Sequence, residues 1–114
     1  MVTLTNSPPA VVDAQMNQAN LHDFERNFSV ESVRRYKPAP EPYRMVATEL
    51  GVGVDRLRMI AAHAWDVGGA MRAGCAAAFV ARPGKAPFPL FPKPDVAGTD
   101  LGEVAGAIVK AELP

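Results

Sequence analysis

Short apolar runs and amphipathic stripes alternate along the chain. The apolar runs predict strands at residues 2–5, 28–30, 57–62 and 76–81, with a short edge strand at 94–97. Helical spacing of apolar residues predicts helices at 8–20 and 40–50, a third that carries Val67, Ala70 and Met71 and ends at Gly74, and a last helix that begins near Asp100. Strands and helices in this order are typical of an α/β fold with a mainly parallel sheet and flanking helices.

The stretch around the third predicted strand carries the most information about a site. Residues 57–62 are almost uncharged, which predicts a strand buried on both faces of a parallel sheet. His63, Trp65 and Asp66 follow at once, before a helix that ends at Gly74. Such a junction lies at the carboxyl end of the sheet, where open α/β folds bind ligands. In the alternative, structural interpretation, Trp65 is core, His63 is satisfied and partly buried, and the helix dipole stabilises Asp66.

The helical stripes also predict which side chains form the core. Ser7 is expected to cap the first helix, and Leu21 and Phe24 are expected to pack on the core from a short turn. The predicted apolar faces are Val11, Val12, Gln15, Met16 and Ala19 in the first helix, Tyr43, Val46, Ala47 and Leu50 in the second, Val67, Ala70 and Met71 in the third, and Leu101, Val104, Ala105, Ile108 and Val109 in the last.

A group of cations precedes the second helix. Arg34, Arg35 and Lys37 lie close together, and Pro38 disfavours the helical conformation for Lys37. Tyr43 stands six residues after Lys37, in the first turn or so of the helix. A solvated basic surface is the alternative interpretation of the three cations.

A proline-rich stretch separates the last two predicted strands. Residues 83–94 contain five prolines, which excludes regular secondary structure there. Phe88, Leu90 and Phe91 lie among the prolines and predict an ordered excursion packed by its apolar side chains. Disorder of this stretch is the alternative.

Composition and charge narrow the class of protein. A chain of 114 residues, 48% hydrophobic and 21% charged, predicts a single globular domain. The 12 basic and 12 acidic residues cancel, so neither a nucleic acid nor a membrane surface is expected as a partner. No signal peptide or membrane-spanning run is recognised, and a cytoplasmic location is expected. The single cysteine, Cys75, is expected to be a small buried side chain, not a nucleophile.

Three groups of residues, taken in order, carry a resemblance to a known family. They are Thr5-Asn6 after a strand, Tyr36-Lys37-Pro38 with Tyr43 beyond, and Ala-Ala-His-Ala-Trp-Asp-Val-Gly-Gly-Ala at 61–70. Together they resemble the later motifs of the type II haloacid dehalogenases, which belong to the haloacid dehalogenase superfamily of Rossmann-like hydrolases. The likeness extends over nearly the whole chain.

The resemblance implies catalytic roles for three residues. Thr5 matches the hydroxyl that orients the nucleophile. Lys37 matches the lysine that neutralises carboxylate charge around the nucleophile, which suits a compact cation beside a reacting aspartate. Asp66 matches the carboxylate that positions or activates water for hydrolysis of an ester intermediate.

The resemblance also implies four substrate-binding residues. Asn6 would help to hold the substrate carboxylate, and Tyr43 would lie close to the lysine. Trp65 would line the pocket. His63 stands where well-known members carry asparagine, and it could act there as a donor or a base.

The reaction that the resemblance implies needs neither a metal nor another cofactor. An aspartate attacks the halogen-bearing carbon of a 2-haloalkanoic acid, and water then cleaves the ester to give the 2-hydroxy acid and halide. The substrate is therefore expected to be a small 2-haloacid.

The residues that would begin this reaction are not found in the sequence. The family's nucleophilic aspartate ends a first strand that precedes all of these motifs, and a helical cap domain follows it. Residues 1–114 are thus expected to be a single partial core domain, the C-terminal part of a Rossmann-like fold whose first central strand is missing between residues 2–5 and 57–62. Two unpaired strand edges would result, and the chain alone is expected to be poorly stable and inactive. The missing N-terminal half, or a second copy in a homodimer, would complete it.

Other functions are compatible with the same residues. A magnesium-dependent phosphatase of the same superfamily would need a second acidic residue near Asp66, which the neighbouring alanines and His63 do not supply. A non-catalytic module completed by a partner or by self-association would be recognised by a stable dimer. Zinc binding by His63 and Asp66 is disfavoured, because two ligands do not make a zinc site.

Overall fold

The computed structural model describes residues 1–87 and 89–112, and its elements follow the predicted order. The strands are β1 (Val2–Thr5), β2 (Arg26–Ser29), β3 (Arg58–Ala61), β4 (Ala76–Val80) and β5 (Val96–Gly98), and the helices are α1 (Pro9–Gln18), α2 (Pro40–Leu50), α3 (Ala64–Ala73) and α4 (Leu101–Glu112). Short 3-10 turns occupy Val30–Val33 and Val54–Arg56. The predicted α/β class is confirmed.

All strand pairs are parallel, but the strands form two separate sheets. β1 pairs with β2, with Val2 opposite Arg26. In the second sheet β4 lies between β3 and β5, and Ala78 stands opposite both Ile60 and Val96. Within the described residues no strand joins β1 to β3. The sheet is therefore incomplete at the position that the resemblance implied.

A groove of about 600 Å³ lies between β1 and β3, and we call it the inter-sheet groove. Its apolar lining includes Leu4, Phe24, Val46, Leu50, Leu57 and Met59. β3 borders this groove and is not buried on both faces as predicted, since Ile60 is 40% exposed. The prediction was wrong because Ile60 lines the groove, which no strand of the described residues fills.

The core lies between the second sheet and helices α2, α3 and α4. Tyr43, Val46 and Ala47 of α2 are buried, as the stripe predicted, and so are Val67 and Ala70 of α3. Phe79 of β4 and Val104 of α4 are among the most deeply buried side chains. The single cysteine, Cys75, is also buried, as predicted.

The predicted faces of the outer helices are partly wrong. In α1 only Val12 is buried, because this helix covers a sheet of two strands and has little apolar surface to pack on. Ser7 does not cap α1, whose N-cap is Pro8. The residues predicted to face the core that are exposed instead are Val11, Gln15, Ala19, Leu21, Leu101, Ala105 and Val109.

The proline-rich stretch packs on α3 through Phe91. The Phe91 ring lies so close to Gly68 that a Cβ at that glycine would approach it to 2.0 Å. The Arg72 guanidinium stacks on the same ring, 4.3 Å from its centre. Phe88 lies outside the described residues, and Leu90 is 96% exposed. The predicted packing therefore rests on Phe91 and not on Leu90.

None of the described helices is both long and apolar enough to span a membrane.

Candidate functional site

A buried ion pair between Lys37 and Asp66 forms the centre of the candidate site. The Lys37 ammonium Nζ lies 2.7 Å from Asp66 Oδ2, and the two side chains are 8% and 9% exposed. The same Nζ donates to the carbonyl oxygen of Leu4 at 3.1 Å. Lys37 therefore bridges the end of β1, in one sheet, and the first turn of α3, which follows the other sheet.

Tyr43 holds the other oxygen of the Asp66 carboxylate. Its hydroxyl lies 2.7 Å from Asp66 Oδ1 and 3.1 Å from the Asp66 carbonyl oxygen. Burial raises the pKa of Tyr43 strongly, and the hydrogen bond to Asp66 and the charge of that carboxylate raise it further. The phenol is therefore a hydrogen-bond donor and not a source of protons at neutral pH.

The loop after β1 contacts the backbone of Lys37. Asn6 Oδ1 accepts from the Lys37 amide N–H at 2.9 Å, so Asn6 positions the lysine-bearing segment. Thr5 Oγ1 accepts from the Ser7 amide at 3.1 Å, and the Ser29 hydroxyl donates to the Ser7 carbonyl at 2.8 Å. The first contact ties the Thr5 hydroxyl to the turn after β1, and the second ties the end of β2 to the same turn.

His63 and Trp65 lie at the rim of the site. The Lys37 ammonium lies 5.7 Å from the centre of the Trp65 ring, and Trp65 is 36% exposed. The His63 and Trp65 rings lie 5.7 Å apart at 37°. His63 is exposed and its side chain does not cap α3. The structural alternative of a partly buried histidine and a core tryptophan is therefore wrong.

Gly69 is a site residue that the sequence interpretation missed. A Cβ on Gly69 would lie 2.5 Å from Pro38 Cβ and 2.9 Å from the Tyr43 hydroxyl oxygen. The bare glycine thus lets the Lys37–Pro38 segment and Tyr43 approach α3, which brings Lys37 within reach of Asp66. Two adjacent glycines inside a helix are costly, and this cost could have indicated close packing.

The three cations before α2 have different surroundings. Arg34 and Arg35 are exposed, as the solvated-surface interpretation proposed, whereas the Lys37 side chain is buried in the ion pair. In residues 1–87 and 89–112, no three His, Cys, Asp or Glu side chains converge in a metal-like cluster.

The chemistry open to this site follows from Lys37 and Asp66. An ammonium held beside the carboxyl ends of β1 and β3 can stabilise negative charge on a group that enters the inter-sheet groove, which Lys37 and Asp66 both line. The Asp66 carboxylate can accept a proton or orient water. The residues present could therefore stabilise an anion and transfer a proton at the carboxyl end of a parallel sheet.

Comparison with known proteins identifies relatives of the chain. An (S)-2-haloacid dehalogenase of Xanthobacter autotrophicus is 36% identical over 80 residues, which are 69% of this chain and 32% of that protein. An (S)-2-haloacid dehalogenase of Pseudomonas sp. (strain YL) is 30% identical over 105 residues, 91% of this chain and 45% of that protein. No protein-family model matches the chain.

The solved structures agree with the sequence relatives. The structure of L-2-haloacid dehalogenase from Xanthobacter autotrophicus superposes with a TM-score of 0.88 and 26% identity, covering 96% of this chain and 54% of that one. The chain belongs to the family of the type II haloacid dehalogenases and corresponds to a C-terminal part of such a protein. It spans less than half of the length of the two curated relatives.

Proposed function

We propose that this chain supplies the lysine and carboxylate part of a hydrolytic 2-haloacid dehalogenase site. The observation that carries the proposal is the buried Lys37–Asp66–Tyr43 network at the carboxyl ends of β1 and β3. Relatives named as (S)-2-haloacid dehalogenases support the choice of reaction.

The reaction proceeds in two steps. An aspartate carboxylate from outside this chain displaces halide from the second carbon of a 2-haloalkanoic acid and forms an ester. Water, oriented by Asp66, then attacks the ester, releasing the 2-hydroxy acid and regenerating the carboxylate. No metal or other cofactor takes part.

Lys37 stabilises negative charge in both steps. Its ammonium stabilises the attacking carboxylate and the negative charge that develops during ester hydrolysis. Tyr43 keeps the Asp66 carboxylate turned toward Lys37. Thr5 and Asn6 orient the nucleophile and hold the substrate carboxylate, while His63 and Trp65 border the substrate.

This chain alone is inactive in our proposal, because none of its own aspartates serves as the nucleophile. A chimera tests this directly. The 45% of the Pseudomonas dehalogenase that matches this chain is replaced by residues 1–114, and chloride release from 2-chloropropionate is measured. We expect release by the chimera and none by the chain alone.

Variants of the chimera separate chemistry from folding. Lys37→Met and Asp66→Asn should each lower the rate of chloride release by roughly a hundredfold or more. Arg35→Met, which removes an exposed cation two positions away, should leave the rate unchanged. A folded chimera that releases no chloride, or whose rate is insensitive to Lys37 and Asp66, would refute the proposal. Magnesium-dependent hydrolysis of a phosphate ester instead would favour the phosphatase alternative.

A further inference from the structure

We propose that Phe91, in the proline-rich stretch, is a positioning residue for the Lys37–Asp66 pair. Its ring packs on the face of α3 that lies opposite Asp66, and it holds the first two turns of that helix against the Lys37–Pro38 segment. The catalytic consequence of this inference rests on the proposed function. The packing from which it is drawn is a property of the chain itself.

Two adjacent glycines place contacts on opposite faces of α3. Successive residues of a helix are about 100° apart, so Gly68 lies about 200° from Asp66 and Gly69 about 300°. Gly69 therefore shares the face of Asp66, where an added Cβ would lie 2.5 Å from Pro38 Cβ. Gly68 lies on the opposite face, where an added Cβ would overlap the Phe91 ring. The helix is thus held between Pro38 and Phe91.

Several side chains surround the Phe91 ring at this contact. The Arg72 guanidinium, one turn after Gly68, stacks on the ring at 4.3 Å from its centre. The other lining residues come from α3, from β4 and from the proline-rich stretch, and they include Ala64, Met71, Phe79 and Pro92. Because the ring fits against a bare glycine, a smaller side chain at position 91 would leave a gap beside α3.

The proline-rich stretch is anchored at both ends. At its start the Lys85 amide donates to the Arg82 carbonyl at 2.9 Å. At its end Asp95 forms an ion pair with Arg58 of β3, directly before β5. The prolines between these anchors restrict the backbone, which lowers the entropy that the stretch loses when it is ordered. A segment fixed in this way resists displacement of the ring that it carries.

The first turn of α3 carries the carboxylate that a displacement would affect. Asp66 lies 2.7 Å from Lys37 Nζ and 2.7 Å from the Tyr43 hydroxyl, so both contacts depend on where α3 lies. A misplacement of about 1 Å at a site can lower the rate by roughly a hundredfold. Loss of the Phe91 ring should therefore impair the step in which Asp66 orients water.

Chloride release by Phe91→Ala in the chimera tests the catalytic consequence. Rapid mixing with 2-chloropropionate separates ester formation, seen as a burst, from ester hydrolysis, seen as the steady rate. We expect a burst of about one chloride per chain, followed by a steady rate roughly tenfold or more below that of the parent chimera. Unfolding of part of the sample would instead lower the burst and the steady rate in the same proportion, and that result would overturn the inference.

Two further variants make the test specific to this contact. Leu90→Ala is the matched control, since this neighbouring apolar side chain is 96% exposed, and it should leave both phases unchanged. Gly68→Ala adds a methyl group that would meet the Phe91 ring. It should slow the steady phase in the parent chimera and have a smaller effect in the Phe91→Ala background, where the ring is gone. Additive effects of the two substitutions would overturn the inference.

The fluorescence of Trp65 tests the packing in the chain itself, without the reaction. Trp65 is the single tryptophan of the chain and lies in the first turn of α3. We expect acrylamide to quench its emission more strongly in Phe91→Ala and to the parent extent in Leu90→Ala. Equal quenching in the two variants would overturn the inference. If the parent chimera releases no chloride while the quenching changes as expected, the proposed function fails and the packing inference stands.

Discussion

At the scale of single residues, the Lys37 ammonium contacts three groups of the protein in place of solvent. Asp66, the Leu4 carbonyl and the face of Trp65 surround it. Removing one member of a buried ion pair leaves the other charge uncompensated, which costs about 3–5 kcal/mol. We expect Lys37→Met to lower the free energy of unfolding by about this amount, as measured by urea denaturation.

Two comparisons separate this effect from a general loss of charge. Arg35→Met, at an exposed cation, should change the free energy of unfolding by less than about 0.5 kcal/mol. The double variant Lys37→Met with Asp66→Asn should be more stable than the sum of the single effects predicts. Equal effects of Lys37→Met and Arg35→Met would show that the pair is not buried in solution.

Tyr43 gives stability a distinctive dependence on alkaline pH. Burial raises its pKa in the folded state, so above about pH 10 the unfolded chain loses a proton that the folded chain keeps. The contribution of Tyr43 is complete below its unfolded pKa and decreases as pH rises further, by about 1.4 kcal/mol per pH unit. Tyr43→Phe should remove this part of the dependence of the free energy of unfolding on pH. Urea denaturation between about pH 9.5 and 11, the range set by the unfolded pKa, measures it.

The second tyrosine is a built-in control for this measurement. Tyr36 is 71% exposed, and Tyr36→Phe is the matched variant that removes a phenol from the surface. A slope that Tyr43→Phe does not reduce would mean that the phenol ionises as readily in the folded chain as in the unfolded one.

At the scale of elements, replacing a glycine by alanine in α3 and in α4 should change the free energy of unfolding in opposite directions. In a free helix the change stabilises by up to about 1 kcal/mol. Gly106 of α4 has nothing within 4 Å of an added Cβ, so Gly106→Ala should raise the free energy of unfolding. Gly69→Ala should lower it, because the Cβ would meet Pro38 Cβ at 2.5 Å and the Pro38 backbone at 3.0 Å.

Thermal denaturation monitored by circular dichroism measures both changes. The melting temperature should shift upward for Gly106→Ala and downward for Gly69→Ala. Stabilisation by both variants would show that α3 can move away from Pro38 without loss, and that Gly69 does not set the approach of Lys37 to Asp66.

The order of elements could be predicted from the sequence because each signal is local. Gly51 and Gly74 end α2 and α3 with positive φ, as their places after apolar stripes predicted. The burial of outer faces could not be predicted in this way. Val11 and Val109 are apolar and correctly spaced, but burial depends on how much sheet lies beneath a helix, and here that sheet is incomplete.

The candidate site was predictable to a similar degree. Lys37, Tyr43 and Asp66 were all selected from the sequence, and the structure places them in one network. The contact of Asn6 with the Lys37 backbone and the close approach of Pro38 to Gly69 each join residues that are 31 positions apart in the sequence. Periodicity and spacing carry no information about such distances.

At the scale of the whole molecule, two sheets are held together by helices and by Lys37. The radius of gyration is 13.9 Å, close to about 13 Å for a compact chain of this length. Compactness therefore coexists with free strand edges. Amide exchange should reveal these edges, with Arg58 and Ile60 exchanging much faster than Met59 and Ala61 because only the latter two N–H groups face β4.

Residue-resolved hydrogen exchange by NMR checks this alternation. Ala78, in the central strand β4, serves as the protected reference. Uniform protection along β3 would contradict the free edge and would indicate that the groove is closed or occupied in solution.

Cys75 stands at the border of the inter-sheet groove and is the single thiol of the chain. Burial raises its pKa, so only a small fraction is thiolate at neutral pH and its alkylation is governed by access through the groove. Cys75 is therefore a chemical probe of solvent access to the groove. The rate at which iodoacetamide labels Cys75 reports how much of the time the space between β1 and β3 stands open to solvent.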